Sequence, residues 1–357
     1  MKKTTIIGIA LLYFACFDAV AQLRTYSNEF LSLGVGARGL AMGNAQVAST
    51  NDITAGFWNP AGLTHLKNVQ VGAMHAEWFA GIGKYDYLSI AAPFGTNNRV
   101  LGATLIRFGV DDIPNTLFIV DPDGSVDYEK LSTFSAADYA LLLSYAQSIK
   151  ERLTVGANVK IIHRRVGKFA TSWGFGLDVG AQYQASDNFI LGLTIKDLTT
   201  TFNAWSFNFT EEEKLALEAA DNIIPSSSTE LTGQRIIFGG AYYLNFSDKI
   251  GLLAELDADI TIDGKRNVLI KTDPISLDPH LGFELSYDQA IFLRAGLNNI
   301  QEIKDGEGTN LSIQPNLGIG LRFKSVMLDY AFTNFNNVSD GTFSHVFSLK
   351  IDFDATN

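Results

Sequence analysis

Stretch after stretch of this chain alternates apolar and polar residues with a period of two. Trp173, Phe175, Leu177, Val179, Ala181 and Tyr183 interleave with Ser172, Gly174, Gly176, Asp178, Gly180 and Gln182. Ile250, Leu252, Ala254, Leu256, Ala258 and Ile260 do the same with Gly251, Leu253, Glu255, Asp257 and Asp259. Each such run is a strand with one apolar and one polar face. Fourteen segments read this way, roughly 68–76, 84–92, 99–109, 136–146, 152–164, 170–183, 188–197, 234–245, 250–262, 279–287, 290–298, 314–324, 325–333 and 343–353. Beyond residue 21 no run approaches the ~18 uninterrupted apolar residues of a spanning helix.

The connections fall into two sets taken in turn. Those at 93–98, 147–151, 184–187, 246–249, 288–289 and 324–325 are short and turn-like. Those at 110–135, 198–233, 263–279 and 299–313 are long, with shorter members near Gly81, Arg165 and Asn336. Short turns at one end and long loops at the other is the plan of an outer-membrane barrel whose short side is periplasmic. The expectation is therefore an all-β fold: a transmembrane antiparallel barrel of about fourteen strands over 68–357, surrounded by outer-membrane lipid. An even strand count puts both termini in the periplasm.

Charge supports the facing. Lys160, Asp178, Lys196, Glu255, Asp257, Glu284, Arg294, Arg322 and Asp329 fall on the polar sides of their strands. A lipid-facing Arg or Lys at the bilayer midplane costs ~2–4 kcal/mol, so these sides are expected to line the lumen. With Arg107 added, they form a network of both signs. A charge-selective pore lines itself with one sign; mixed charge fits a salt-bridged, filled interior. Eight strands are filled by their own side chains and sixteen leave a channel. Fourteen lie between, so the bore calls for a plug.

The N-terminus gives the compartment. Lys2 and Lys3 precede an apolar run from Thr4 to Phe17, and Ala19-Val20-Ala21 supplies a small-x-small cleavage site. Residues 1–21 thus read as a secretory signal peptide with Gln22 as the mature start; Cys16 raises a lipoprotein alternative, against which Tyr13 stands where a lipobox has Leu. Cys16 is the single cysteine, so the mature chain has no thiol chemistry or disulfide framework. A net charge of −11 offers nucleic-acid phosphates no excess cations and excludes that class of partner.

Residues 22–67, rich in Gly and Ala and without a long period-two run, are the plug candidate. Gly34-Val35-Gly36-Ala37-Arg38-Gly39 formally matches a dinucleotide fingerprint, but the parallel strand and the acid about twenty residues on are missing. Further along, Asn59-Pro60-Ala61-Gly62 suits a sharp turn, since Pro fixes φ and Asn closes a side-chain turn. It either is a hatch element that holds the plug or contacts a ligand, or simply turns the chain into the first strand. The stretch Gly36-Ala37-Arg38-Gly39-Leu40-Ala41-Met42-Gly43-Asn44-Ala45, followed by Trp58-Asn59-Pro60-Ala61-Gly62-Leu63, resembles the N-terminal signature of the PorV/PorQ family of Bacteroidetes outer-membrane proteins. That family is related to the FadL-type transporters, fourteen-stranded barrels with an N-terminal hatch. The PorV-like resemblance implies work in type IX secretion, with translocon or attachment-complex proteins and cargo C-terminal domains as partners. The FadL-like resemblance implies a hydrophobic ligand in the lumen and its passage through a lateral opening.

Catalysis finds little footing. The histidines His65, His75, His163, His280 and His345 show no ligand spacing, and no nucleophile elbow appears. No cofactor is expected and no enzyme. Asp121, Asp123, Asp127 and Glu129 form an acidic loop, solvated or calcium-collecting. In 198–233, Thr210 and Glu213 predict a capping box, and the helix it starts should stop before Pro225. Phe202, Trp205, Phe207 and Phe209 precede that helix, either as a lid over its own aromatics or as a docking surface for a partner.

Overall fold

The computed structural model describes residues 27–120, 124–224, 227–305, 308–334 and 343–353. The signal-peptide reading and Asp121 to Asp123 of the acidic loop lie outside them. Seventeen strands are described: β1 (Val69–Trp78), β2 (Gly83–Phe94), β3 (Arg99–Asn115), β4 (Ser132–Lys150), β5 (Leu153–Val166), β6 (Ala170–Ser186), β7 (Phe189–Lys196), β8 (Thr201–Phe207), β9 (Ser227–Thr232), β10 (Arg235–Asn245), β11 (Ile250–Thr261), β12 (Ile270–Lys271), β13 (Ser276–Tyr287), β14 (Ile291–Asp305), β15 (Gly308–Phe323), β16 (Val326–Thr333) and β17 (Ser344–Phe353). The helices are α1 (Ala37–Ala41), α2 (Ala55–Trp58) and α3 (Glu211–Ala219).

Every described strand pairing is antiparallel. β1 to β7, β10, β11 and β13 to β17 pair in sequence, and β17 returns to β1 with Val69 opposite Phe353. That closes a fourteen-stranded ring, which leaves no free edge. All fourteen expected segments are wall strands. β8 and β9 stand outside the ring count as a hairpin on the long-loop end of β6, and β12 adds two residues beside β13.

The alternation fixes the facing. Leu88, Ile90, Leu101, Leu105, Phe175, Leu256, Leu293, Leu317, Leu328 and Phe347 are exposed on the outer wall, while their neighbours in sequence point inward and are buried or half-buried. An apolar band on the outside of a closed barrel is what a bilayer solvates, and one-residue slips would turn it inward.

The long-loop end departs from expectation. The 299–313 connection is a continuation of β14 and β15, and β3 and β4 reach Asn115 and Ser132. Beyond the bilayer a strand needs no apolar face, so these Ser-, Thr- and Asn-rich extensions carry no period-two signal. The capping box forms as expected: the Glu213 amide donates to Thr210 Oγ1 at 3.2 Å and the Thr210 amide donates to Glu213 Oε2 at 2.8 Å. Helix α3 ends at Ala219.

Candidate functional site

Residues 27–66 touch strands on every side of the ring and are almost wholly buried. Their course runs from the long-loop end, where Asn203 Nδ2 donates to Ser27 Oγ at 2.8 Å and Asn28 Nδ2 donates to Thr232 Oγ1 at 2.9 Å, to Leu66 beside Val100 and Ala146 near the short turns. The first described residue thus lies in the opposite half of the barrel from Phe353.

Small residues on the wall make this fit. A Cβ at Gly180 would overlap Asn59, one at Gly156 would overlap Pro60, one at Gly192 would overlap Val47, and one at Gly296 would overlap Met42. Asn59 does more than turn the chain. Its Nδ2 donates to Val47 O at 2.8 Å and to Ala181 O of β6 at 3.0 Å, while Oδ1 accepts from the Ala61 amide at 3.2 Å. Pro60, Ala61 and Gly62 continue as one 3₁₀ stretch, Pro60–His65, with Gly62 pressed against the Thr50 carbonyl. One side chain therefore links two parts of the segment and the wall, and each bond is worth roughly 1 kcal/mol net.

On the far side the tie is ionic. Arg38 pairs with Glu284 (2.9 Å), Glu284 with Arg294 (2.6 Å), Arg294 with Asp329 (2.6 Å), Asp329 with Lys350 (3.3 Å) and Lys350 with Asp52 (2.5 Å). This zigzag of alternating sign begins and ends in the inner segment and passes through β13, β14, β16 and β17. Burial alone would push the Asp52 carboxyl up; the charges of Lys350 and Arg38 overcome that and hold it well below the ordinary carboxylate range. Glu284, Arg294 and Asp329 were legible as lumen charges. Arg38, Asp52 and Lys350 were not, although Lys350 shares the polar face of Ser344 and Ser348.

The remaining expected charges fall into separate groups. Lys160 pairs with Asp178 at 2.8 Å and with Asp197. Glu255 and Asp257 face no cation in an ion pair among the described residues. Instead Asp257 Oδ2 accepts from the amides of Gln46 (2.8 Å) and Val47 (2.9 Å), and Glu255 Oε1 from those of Ala48 (2.7 Å) and Ser49 (3.1 Å). Lys196 lies 3.9 Å from the Phe57 ring centre, and Arg322 stacks on Phe292 at the short-turn mouth. Arg107 corrects the lumen reading: it belongs to the outward set of Leu101 and Leu105 and pairs with Asp86 (3.2 Å), which also meets His75 (2.7 Å). These groups sit at the long-loop edge of the apolar band, where an outer-wall charge can reach water and a partner.

The interior of β1 to β4 is different in kind. No inward position from Gln70 to Trp78, Gly83 to Ala91, Val100 to Phe108 or Ala140 to Ala146 carries a charge; the inward Asp138 of β4, nearer the long loops, pairs with Arg164 (2.9 Å). Met74, Trp78, Tyr85, Ile106, Ala140 and Leu142 pack here against Phe30, Leu40, Phe57 and Trp58 of the inner segment. Toward the short turns Ala91, Val100 and Ala146 continue the surface against Ile53, Leu63 and Leu66. At the long-loop rim stands a separate file of rings, Phe134, Phe169, Phe209, Phe207 and Trp205, successive centroids 5.3 to 6.4 Å apart, with Arg164, paired to Asp138 and Glu230, over the Trp205 ring. Trp205 alternates with Phe202, so they lie on opposite faces of β8. Phe202 points to the outer wall, 6.1 Å from Phe175, which separates it from the three aromatics it was grouped with.

Cavities lie at both ends. The long-loop one, about 680 Å³, is bordered by Leu33, Leu40, Trp78, Arg235, Asp259 and a group of amides. The short-turn one, about 480 Å³, is bordered by Arg38, Asp52, His65, Arg322 and Lys350.

No protein-family model matches the sequence, and no curated protein matches it. Solved structures do. The Pseudomonas putida toluene transporter TodX is 13% identical with a TM-score of 0.58, over 92% of this chain and 100% of that one. CymD, a monoaromatic hydrocarbon channel, is 14% identical with a TM-score of 0.57, over 90% and 98%. A Pseudomonas aeruginosa FadL homologue is 12% identical with a TM-score of 0.53, over 90% and 98%. At such identities the likeness is one of fold: this chain has the closed fourteen-stranded architecture of the FadL-like barrels.

Proposed function

We propose that the protein is an outer-membrane channel for hydrophobic small molecules, with residues 22–67 as its hatch and the short turns in the periplasm. The observation that carries this reading is the inner surface of β1 to β4, uncharged from Trp78, Tyr85 and Ala140 down to Val100 and Ala146. A hydrophobic solute descending there exchanges contacts with Phe57 and Trp58 for contacts of the same non-directional kind, at small net cost. The hatch fills the lane in the closed state, so passage requires it to yield, as gating elements do. The fold shared with hydrocarbon channels agrees with this reading. The type IX secretion role implied by the N-terminal signature draws no support from these neighbours, and nothing in the geometry favours it over a channel.

The test is uptake of the hydrophobic fluorophore N-phenyl-1-naphthylamine by cells expressing the protein in a lipopolysaccharide-covered outer membrane. Uptake should exceed that of the host alone, and Ala140→Asp, which sets a charge in the lane, should return it to the host rate. Uptake equal to the host with the intact protein folded in the membrane contradicts the reading.

A further inference from the structure

The long-loop cavity carries a second chemistry that hydrocarbon passage does not use. On its β14–β15 side six amides form one directed chain. Asn267 Nδ2 donates to Gln301 (3.1 Å), Gln301 to Asn299, Asn299 to Gln314 (3.4 Å), Gln314 to Asn316 (3.3 Å) and Asn316 to Asn298 (2.8 Å). A primary amide offers two donors and two acceptor sites, so the other five amides have hydrogen-bonding capacity over, while Asn316 is saturated and holds the chain in place: its Nδ2 also donates to Gln314 O (3.1 Å) and its Oδ1 also accepts from the Asn334 amide (3.2 Å). Chaining also fixes which end of each amide is donor and which is acceptor.

Several other buried polar atoms of the cavity's lining residues have no hydrogen-bond partner among the described residues: Asn44 Oδ1, Trp78 Nε1, Asp259 Oδ1 and Thr261 Oγ1. Buried polar atoms are seldom left so. The bordering charges balance, with Arg235, Lys265 and Arg266 against Glu29, Asp259 and Asp278, so the cavity selects neither cations nor anions. The same cavity is also bordered by Trp78 and the aliphatic Leu33 and Leu40. The volume of about 680 Å³ lies within the usual range of small-molecule sites.

Such walls match a ligand that is neutral, carries many adjacent hydroxyls, each both donor and acceptor, and has an apolar face to lay on an aromatic ring. We propose that this cavity binds a neutral sugar of one or two rings. An ion finds no net charge there and a hydrocarbon leaves the amides unsatisfied. A sugar ring has groups for both kinds of lining.

The experiment uses the full chain in detergent, titrated calorimetrically with glucose, maltose and N-acetylglucosamine. At least one should bind saturably, at millimolar concentration or tighter. Asn316→Leu should weaken it by about tenfold or more, the cost of leaving buried partners unpaired. Gln314→Ala, at a less buried point of the chain, should weaken it several-fold, so that the test survives if Asn316→Leu fails to migrate as a folded barrel in gels. Gln289→Ala, at the short-turn cavity, should leave it unchanged. Absence of binding by all three sugars at tens of millimolar overturns the proposal, as does binding that neither amide substitution weakens.

Discussion

The two sides of the bore hold the same inner segment by opposite means. Toward β10 to β17 the grip is directional: ion pairs from Arg38 to Asp52, and the carboxylates of Glu255 and Asp257 against four consecutive amides. Toward β1 to β4 most of the contact is burial of Phe30, Phe57, Trp58 and Leu63 against an uncharged wall, with few hydrogen bonds such as that from Tyr87 Oη to Ile53 O at 3.2 Å. Directional bonds in a low-dielectric interior are lost all at once when geometry shifts. Apolar contacts can be traded for those of a passing solute. On the proposed function, the contrast makes one side the anchor and the other the route.

Substitutions can break this comparison. Arg294→Met leaves Glu284 and Asp329 buried, each without its Arg294 partner, and should cost about 3–5 kcal/mol in denaturant unfolding from lipid vesicles. Asp52→Asn weakens one end of the zigzag, while Lys350 keeps Asp329, and should cost about 1–3 kcal/mol. Because the Asp52 carboxyl is held below its ordinary range, its contribution is complete above that range and is lost only as pH falls through the depressed value. The cost should therefore be equal at about pH 7 and about pH 5; no cost at either pH means the clasp is not formed, and a cost that vanishes only at the lower pH means the Asp52 carboxyl is not held below its ordinary range. Ile106→Val, on the apolar side, should cost only about 1 kcal/mol. A larger penalty at Ile106 than at Arg294 would invert the assignment of the two sides.

Much of the wall was legible because lipid enforces a rule on every strand. A period-two run such as Trp173 to Tyr183 has one solution at each residue, and the turn-rich punctuation marks its ends. The pairings within the bore were not legible for the opposite reason. Arg38 and Glu284 are 246 residues apart, and Lys350 and Asp52 are 298 apart, so only the closed ring and the path of the segment bring them together. Arg107 misled because a charge on a strand was read as inward, whereas at the edge of the apolar band the outer face tolerates it. The β8–β9 hairpin escaped notice since Ser227 to Thr232 has no apolar face for a core or a membrane to select. Asn59 was singled out, but its bond to Ala181 needed the fold.

The division of the bore is tested most directly by where a hydrophobic molecule lodges. A photoactivatable aryl diazirine, activated on the folded protein in vesicles and mapped by mass spectrometry, labels outer-wall residues through the lipid whatever the mechanism. Inward labels that excess toluene removes report the route itself. The account predicts them at Trp78, Tyr85, Phe108 and Phe57. Toluene-sensitive labels confined to the amide side around Asn298 and Asn316, or an absence of inward labels altogether, would contradict it.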